Sequence, residues 1–250
     1  MESLKASLFI EAEKMYRKKK VRIVIILSVA VIAFVQLISS VIRSGLGILW
    51  NTSSVFPITV LSVISSTILP LFTALIIIDA FTGEFSHNTM KLSVTRPVSR
   101  FKIYLSKLVA TALFVLFNLM IVMVLSTIVG VLFNSASMDL IGLVRIFLSY
   151  LVTLVPIMAF AVVIAFLANV FKSSAIVFFI SILIFIASSV LSVLFPEGSG
   201  ALLTSALDWY KLWIADSLPV GRILIQLALM AGYILIFFTA GYNRFDKRDL

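Results

Sequence analysis

Long apolar runs alternate with short polar stretches along the 250 residues, and no short segment repeats. A helix crossing ~30 Å of hydrocarbon at 1.5 Å per residue needs about 20 mostly apolar residues. Six stretches reach that length: 22–42, 57–78, 104–133, 140–168, 174–195 and 221–241. The third and fourth exceed it, so they tilt or project beyond the bilayer. The pattern predicts an all-α polytopic membrane protein, a single domain over 1–250 with six transmembrane helices.

The segments between the spans carry structure of their own. Within residues 1–21, Leu4, Leu8, Ala12, Met15 and Tyr16 fall near one helical face and Glu13, Lys14, Arg17 and Lys18 near the other, with Ile10 out of place. This predicts an amphipathic helix lying along the membrane interface and leading into the first span. In 196–220, the turn-forming string Pro196-Glu197-Gly198-Ser199-Gly200 precedes Leu202, Ala206, Trp209 and Trp213 at helical spacing. Trp209, Tyr210 and Trp213 suit the headgroup level, so a short helix on or dipping into the outer leaflet is expected.

Charge orients the bundle. An even number of spans puts both termini on one side. Of the 20 Lys and Arg, sixteen fall in the N-terminal segment, the 79–107 loop, the 169–173 loop and the C-terminal tail; only Arg43, Arg145, Lys211 and Arg222 face the other way. The positive-inside rule then places both termini in the cytoplasm. The basic run Arg17 to Arg22 ahead of Ile23–Ile42 is expected to lead into an uncleaved span, because the apolar run is longer than a signal's and lacks a convincing small-x-small site. A net charge of +9 from residues at span ends points to topology rather than nucleic acid. With 62% hydrophobic and 12% charged residues, the chain cannot hide its apolar surface in one water-soluble core. Zero Cys removes disulfides and thiolate chemistry.

Catalytic motifs are missing. No Gly precedes Lys-Ser or Lys-Thr, so there is no phosphate-cradling loop. The one histidine, His87, has no HExxH context, and no GxSxG elbow occurs. The chain is expected not to be an enzyme and to hold no cofactor or metal. Acids inside the spans are almost absent, which argues against ion-coupled transport. Asp139 and Arg145 suggest an interfacial pair. Gln36, Ser62, Ser65, Ser66 and Asn118 are candidates for a substrate path, although hydroxyls beside Pro70 also suit backbone groups freed by a kink. Ala161, Ala165 and Ala168, or Ala228 and Gly232, permit close helix contacts. Asn51-Thr52-Ser53 matches a glycosylation sequon and is read as accidental.

The 79–107 connection is too polar for lipid and too rich in Phe81, Phe85, Met90, Leu92 and Val94 for a merely solvated loop. A short helix ending before Pro97 fits, with Ser99 capping the next. Arg100, Lys102 and Lys107 oppose that helix's dipole, so contact with anionic headgroups or a partner is the expected role. Glu84, Thr89, Leu92, Pro97, Ser99, Arg100 and Lys107 together resemble the first cytoplasmic loop of bacterial ABC-2 type transporter permeases. Asn88 stands where that family often has Gly.

The resemblance implies a coupling helix within 79–103 that rests on a separate ATP-binding subunit. Glu84 would be its charged contact, with Phe81, Phe85 and Leu92 as packing anchors and Thr89, Pro97 and Arg100 completing the site. It also implies two permease subunits and two ATPase subunits, ATP and Mg being bound by the latter, in a bacterial cell membrane. The cargo would be hydrophobic or amphipathic: a peptide, a lipid-linked molecule or a drug. An ion-gradient-driven carrier and a non-transporting scaffold or sensor are the alternatives.

Overall fold

The computed structural model describes residues 2–46, 52–83, 99–134, 138–195, 200, 202–215 and 217–247, and among these every regular element is helical. The helices are α1 (Glu2–Tyr16), α2 (Lys19–Leu46), α3 (Val55–Ser66), α4 (Ile68–Ile78), α5 (Arg100–Phe133), α6 (Leu140–Val170), α7 (Ser174–Leu194), α8 (Tyr210–Trp213) and α9 (Val220–Asp246). A π-helical turn, Asp79–Gly83, extends α4, and a 3-10 turn, Ser205–Asp208, precedes α8. Five helices, α2, α5, α6, α7 and α9, are each long and apolar enough to cross a membrane, and the bent pair α3–α4 makes a sixth when counted as one span.

The expected second span is broken. Val55–Ser66 and Ile68–Gly83 meet at 45°, with Thr67 at φ −132 and ψ −76 between them. Pro70 explains the position of the break. It has no N–H for the Ser66 carbonyl and its ring would strike that carbonyl in a continuous helix, whereas in the first turn of a new helix the missing donor costs nothing. The hydroxyls nearby bond back along the chain: Ser66 Oγ to the Ser62 carbonyl at 2.6 Å and Ser65 Oγ to the same carbonyl at 3.3 Å.

Helix α5 has 34 residues, or about 51 Å at 1.5 Å per residue, well beyond the hydrocarbon thickness. Its first turns therefore project, and α1 packs along them. Ser7 Oγ lies 2.9 Å from Ser106 Oγ, and Arg100 at the start of α5 donates to the carbonyl of Asp246 at the end of α9. Both chain ends thus gather at one end of the bundle, called here the basic end.

Helix α6 is central, packing on α4, α5 and α9. Ala159, Ala161, Ala165 and Ala168 on it are all buried, and small side chains let the backbones approach. Of the other close-contact candidates, Gly232 has open space around it. The close approach on α9 is instead at Gly241, where an added Cβ would strike the Tyr104 hydroxyl and lie 3.3 Å from Phe166 Cα. Gly241→Ala is expected to cost about 1–3 kcal/mol, the usual penalty of overpacking. Tyr104→Phe in the same chain should restore most of it, because the hydroxyl that blocks the space has no hydrogen-bond partner to lose among the described residues. Thermal melts of the single and double variants in detergent check this.

The 196–220 connection packs on the bundle. Its described part forms a wedge against the bundle: Ala206, Leu207, Trp209 and Tyr210 are all buried. One side of the wedge packs on Val152, Val155 and Ala159 of α6 and Ile223 and Met230 of α9. Asp139 does not pair with Arg145. It caps α6 by accepting a hydrogen bond from the Leu140 N–H at 2.7 Å.

Candidate functional site at the basic end

The π-helical turn Asp79–Gly83 leads directly into the 84–98 stretch, which lies outside the described residues together with Glu84, Phe85, Thr89, Leu92 and Pro97. A π turn widens the backbone by one residue per hydrogen-bonded ring and often marks functional sites. Here each of its described side chains but one is fastened to a different neighbour. Asp79 takes a salt bridge from Lys20 of α2 at 2.9 Å. Thr82 donates a buried hydrogen bond to the Ala168 carbonyl at the end of α6, also at 2.9 Å.

Phe81 is wholly buried. It was expected as an anchor presented to a partner, and the structure corrects this: its ring is enclosed by the chain's own aromatic residues, Tyr104 at 5.2 Å and Phe245 at 6.0 Å between centroids. Tyr104 in turn packs on Phe238 and Phe245. Edge-on and tilted ring pairs at such distances add about 0.5–1.5 kcal/mol each beyond area burial. The cluster joins α4, α5 and α9 around one ring.

A second fastening lies beside it. Lys107 is almost fully buried, and its ammonium pairs with Glu11 of α1 at 3.1 Å and stands 6.0 Å above the Phe81 ring. Glu11 also receives the half-exposed Lys14 at 3.4 Å. The expected headgroup role of Lys107 is therefore wrong: eight residues into α5 the side chain points into the protein, and its charge is met by an acid on the N-terminal helix. The cost of drying both ions is offset by their mutual attraction and by the exposed lysine. Between them is a small cavity, about 20 Å³, lined by Glu11, Lys14, Met15, Lys18, Ile76, Ala80, Lys107, Ala110 and Thr111, room for about one water.

Arg100 also turns inward along the protein surface. By holding the Asp246 carbonyl it places a cation on the C-terminal end of α9, where the helix dipole favours it. Ser99 occupies the N-cap position of α5, but its side chain makes no capping bond.

Among the described residues the five candidates for a substrate path make separate sets of hydrogen bonds. Asn118 is buried against Ser28 of α2 at 3.4 Å. Gln36 lies near the far end, accepting from Asn134 at 3.3 Å and donating to Ser40 at 3.4 Å. Ser62, Ser65 and Ser66 sit at the break in span two, where the last two bond to the first one's carbonyl. Sequence reasoning passed over Glu11, Tyr104, Thr82 and the inward turn of Lys107. The one available signal was Lys107 itself, a cation two turns inside a run otherwise suited to lipid.

Fold and site together define a helical protein with five to six helices long and apolar enough to cross a membrane and a basic end in which one π turn is locked to four elements. The chain belongs to the family described as "Protein of unknown function (DUF2705)", whose model matches residues 49–250. It is similar to "Uncharacterized protein YhcI" of Bacillus subtilis (strain 168), 27% identical over 208 residues covering 72% of this chain and 64% of the relative. The matched part is thus less than two thirds of that relative's length.

Proposed function

We propose that the chain is the permease subunit of an ATP-driven exporter of the ABC-2 type, working with a separate ATPase subunit that docks at the 84–98 stretch. The observation that carries this reading is the fastening of Asp79–Gly83. A load applied at residues 84–98 enters a turn whose Phe81, Thr82 and Asp79 are tied to α5 and α9, to α6 and to α2, so it reaches most of the crossing helices without passing through lipid. A loop with no mechanical role has no need of such ties. The nearly charge-free helices and the absence of a phosphate-cradling motif agree with a conduit driven by another chain.

In this reading the basic end faces the cytoplasm of a bacterial cell and two permease subunits pair with two ATPase subunits. The cargo is hydrophobic or amphipathic. The chain isolated from native membranes should bring down an ATPase. Glu84→Ala with Phe85→Ala should lower recovery of that subunit more than about tenfold, the loss expected when two central contact residues are truncated. Equal recovery by the double variant, or transport that needs only an ion gradient, overturns the proposal.

A further inference from the structure

The second span shows its surroundings a different surface from the other spans. From Val55 to Gly83 only Val55, Ser66 and Thr67 are exposed. Helices α7 and α9 instead turn Phe179, Leu183, Ile186, Leu235 and Ile236 outward, side chains as apolar as lipid tails. On α3, Thr59, Ser62 and Ser66 recur at spacings of three and four residues, which places them on one helical face. The opposite flank, Val60, Leu61 and Ile64, is wholly buried. The hydroxyls therefore line the side turned away from the core.

Position makes this face costly against lipid. With α3–α4 counted as one span, Thr67 has about 18 Å of helix on one side, back to Val55, and about 17 Å on the other, on to Ile78. Whichever end faces the cytoplasm, the break falls near the middle of the hydrocarbon. Hydroxyls that bond back to their own helix are tolerated there. Thr59 Oγ1 donates to the Val55 carbonyl at 3.2 Å, Ser66 Oγ to the Ser62 carbonyl at 2.6 Å, and Thr67 Oγ1 to the Val63 carbonyl.

The Ser66 carbonyl is the exception. Its helical donor would be residue 70, and Pro70 has no N–H. Irregular backbone at membrane depth occurs inside protein or along water, not against acyl chains. The chain's own packing leaves Ser66 and Thr67 exposed, so the choice lies between water and a second copy. A second copy would have to bring a donor to that one carbonyl, and α3 offers it Val55 as its one exposed large apolar side chain. Water meets the carbonyl wherever it stands.

We propose that the outward face of α3, from Thr59 to the break at Thr67, lines a water-filled crevice that reaches the middle of the membrane. The crevice follows from the fold alone. Its use as the cargo conduit rests on the exporter reading above, and there the hydroxyls offer a cargo neutral hydrogen-bonding groups in place of water. Water access is read on the chain without an ATPase, so failure of the crevice and failure of the exporter are separate results.

The chain has no Cys, so Thr59→Cys, Ser66→Cys and Thr67→Cys each carry a single thiol. The full chain is placed in phosphatidylcholine nanodiscs wide enough for two copies and treated with a charged methanethiosulfonate, which the thiolate attacks in water. Ser66→Cys and Thr67→Cys should be labelled at least about a hundredfold faster than Phe179→Cys or Leu235→Cys, because an apolar surround that raises a thiol pKa by about two units removes all but a hundredth of the thiolate. Thr59→Cys should follow the fast pair. A second arm uses the unsubstituted chain: hydroxyl radicals made from water by radiolysis should oxidise Ile58 and Val63, which flank the hydroxyl face, and spare Phe179 and Leu235, each scaled to its reactivity in the unfolded chain. Labelling of Ser66→Cys and Thr67→Cys no faster than the controls overturns the crevice, as does equal scaled oxidation of Val63 and Phe179. A disulfide-linked dimer of Thr67→Cys that resists the reagent means that a second copy covers the face, and overturns it too.

Discussion

Lys107→Met is expected to lower the stability of the chain by about 3–5 kcal/mol, the penalty measured when one partner of a buried ion pair is removed. Glu11, with a side chain 9% exposed, then keeps the Lys14 contact at 3.4 Å, on a residue itself half in solvent. The double variant Glu11→Leu with Lys107→Met should recover most of the loss, because replacing both members of such a pair by apolar groups of similar size is often neutral or stabilising. A thermal melt in detergent distinguishes the outcomes. Equal damage in single and double variants would mean that α1 is held by other contacts, such as the Ser7–Ser106 hydrogen bond.

Phe81→Ala should cost a similar amount, about 3–5 kcal/mol, the range for deleting a fully buried phenyl ring from a core. The ring meets Tyr104, Phe245 and the Lys107 ammonium, so its loss loosens α5, α9 and the π turn together. The expected fall in melting temperature appears in the isolated chain, with no ATPase present. A side chain that served only to grip a partner would leave that melt unchanged and weaken assembly alone. Measured on the same preparation, the two quantities separate an internal fastening from a docking contact.

Much of this architecture is visible in the sequence because the bilayer imposes a simple rule. Twenty apolar residues in a row leave little alternative to a crossing helix, and the expected spans agree with α2, α5, α6, α7 and α9 to within a few residues at most ends. Pro70 with its neighbouring hydroxyls foretold irregularity in the second span, and the break falls three residues before it. The site was less legible. The buried face of α1 carries Glu11 and Met15, while Phe9 and Tyr16 are exposed, so an apolar-face argument picks a partly wrong flank. Its true flank depends on Lys107, 96 positions away. The wedge was legible only in part: Trp, Tyr and small polar residues have the composition of an interfacial belt, and only tertiary packing shows that Trp209 and Tyr210 are buried against the helices.

The break at Thr67 divides the second span into pieces with separate attachments. Above it, α3 is pinned to its surroundings: an added Cβ on Gly130 of α5 would sit 2.9 Å from the Ser53 carbonyl, and the Tyr150 hydroxyl donates to the Pro57 carbonyl at 2.9 Å. Below it, α4 and its π turn share contacts with the basic end. A rod with an elbow does not carry a push along its length. It converts the push into a swing of the free limb about the joint, while the fixed limb keeps its station. In the exporter proposed above, displacement of the Asp79–Gly83 turn would move α4 against α6 and α7, on which it packs, while α3 stays with its own attachments.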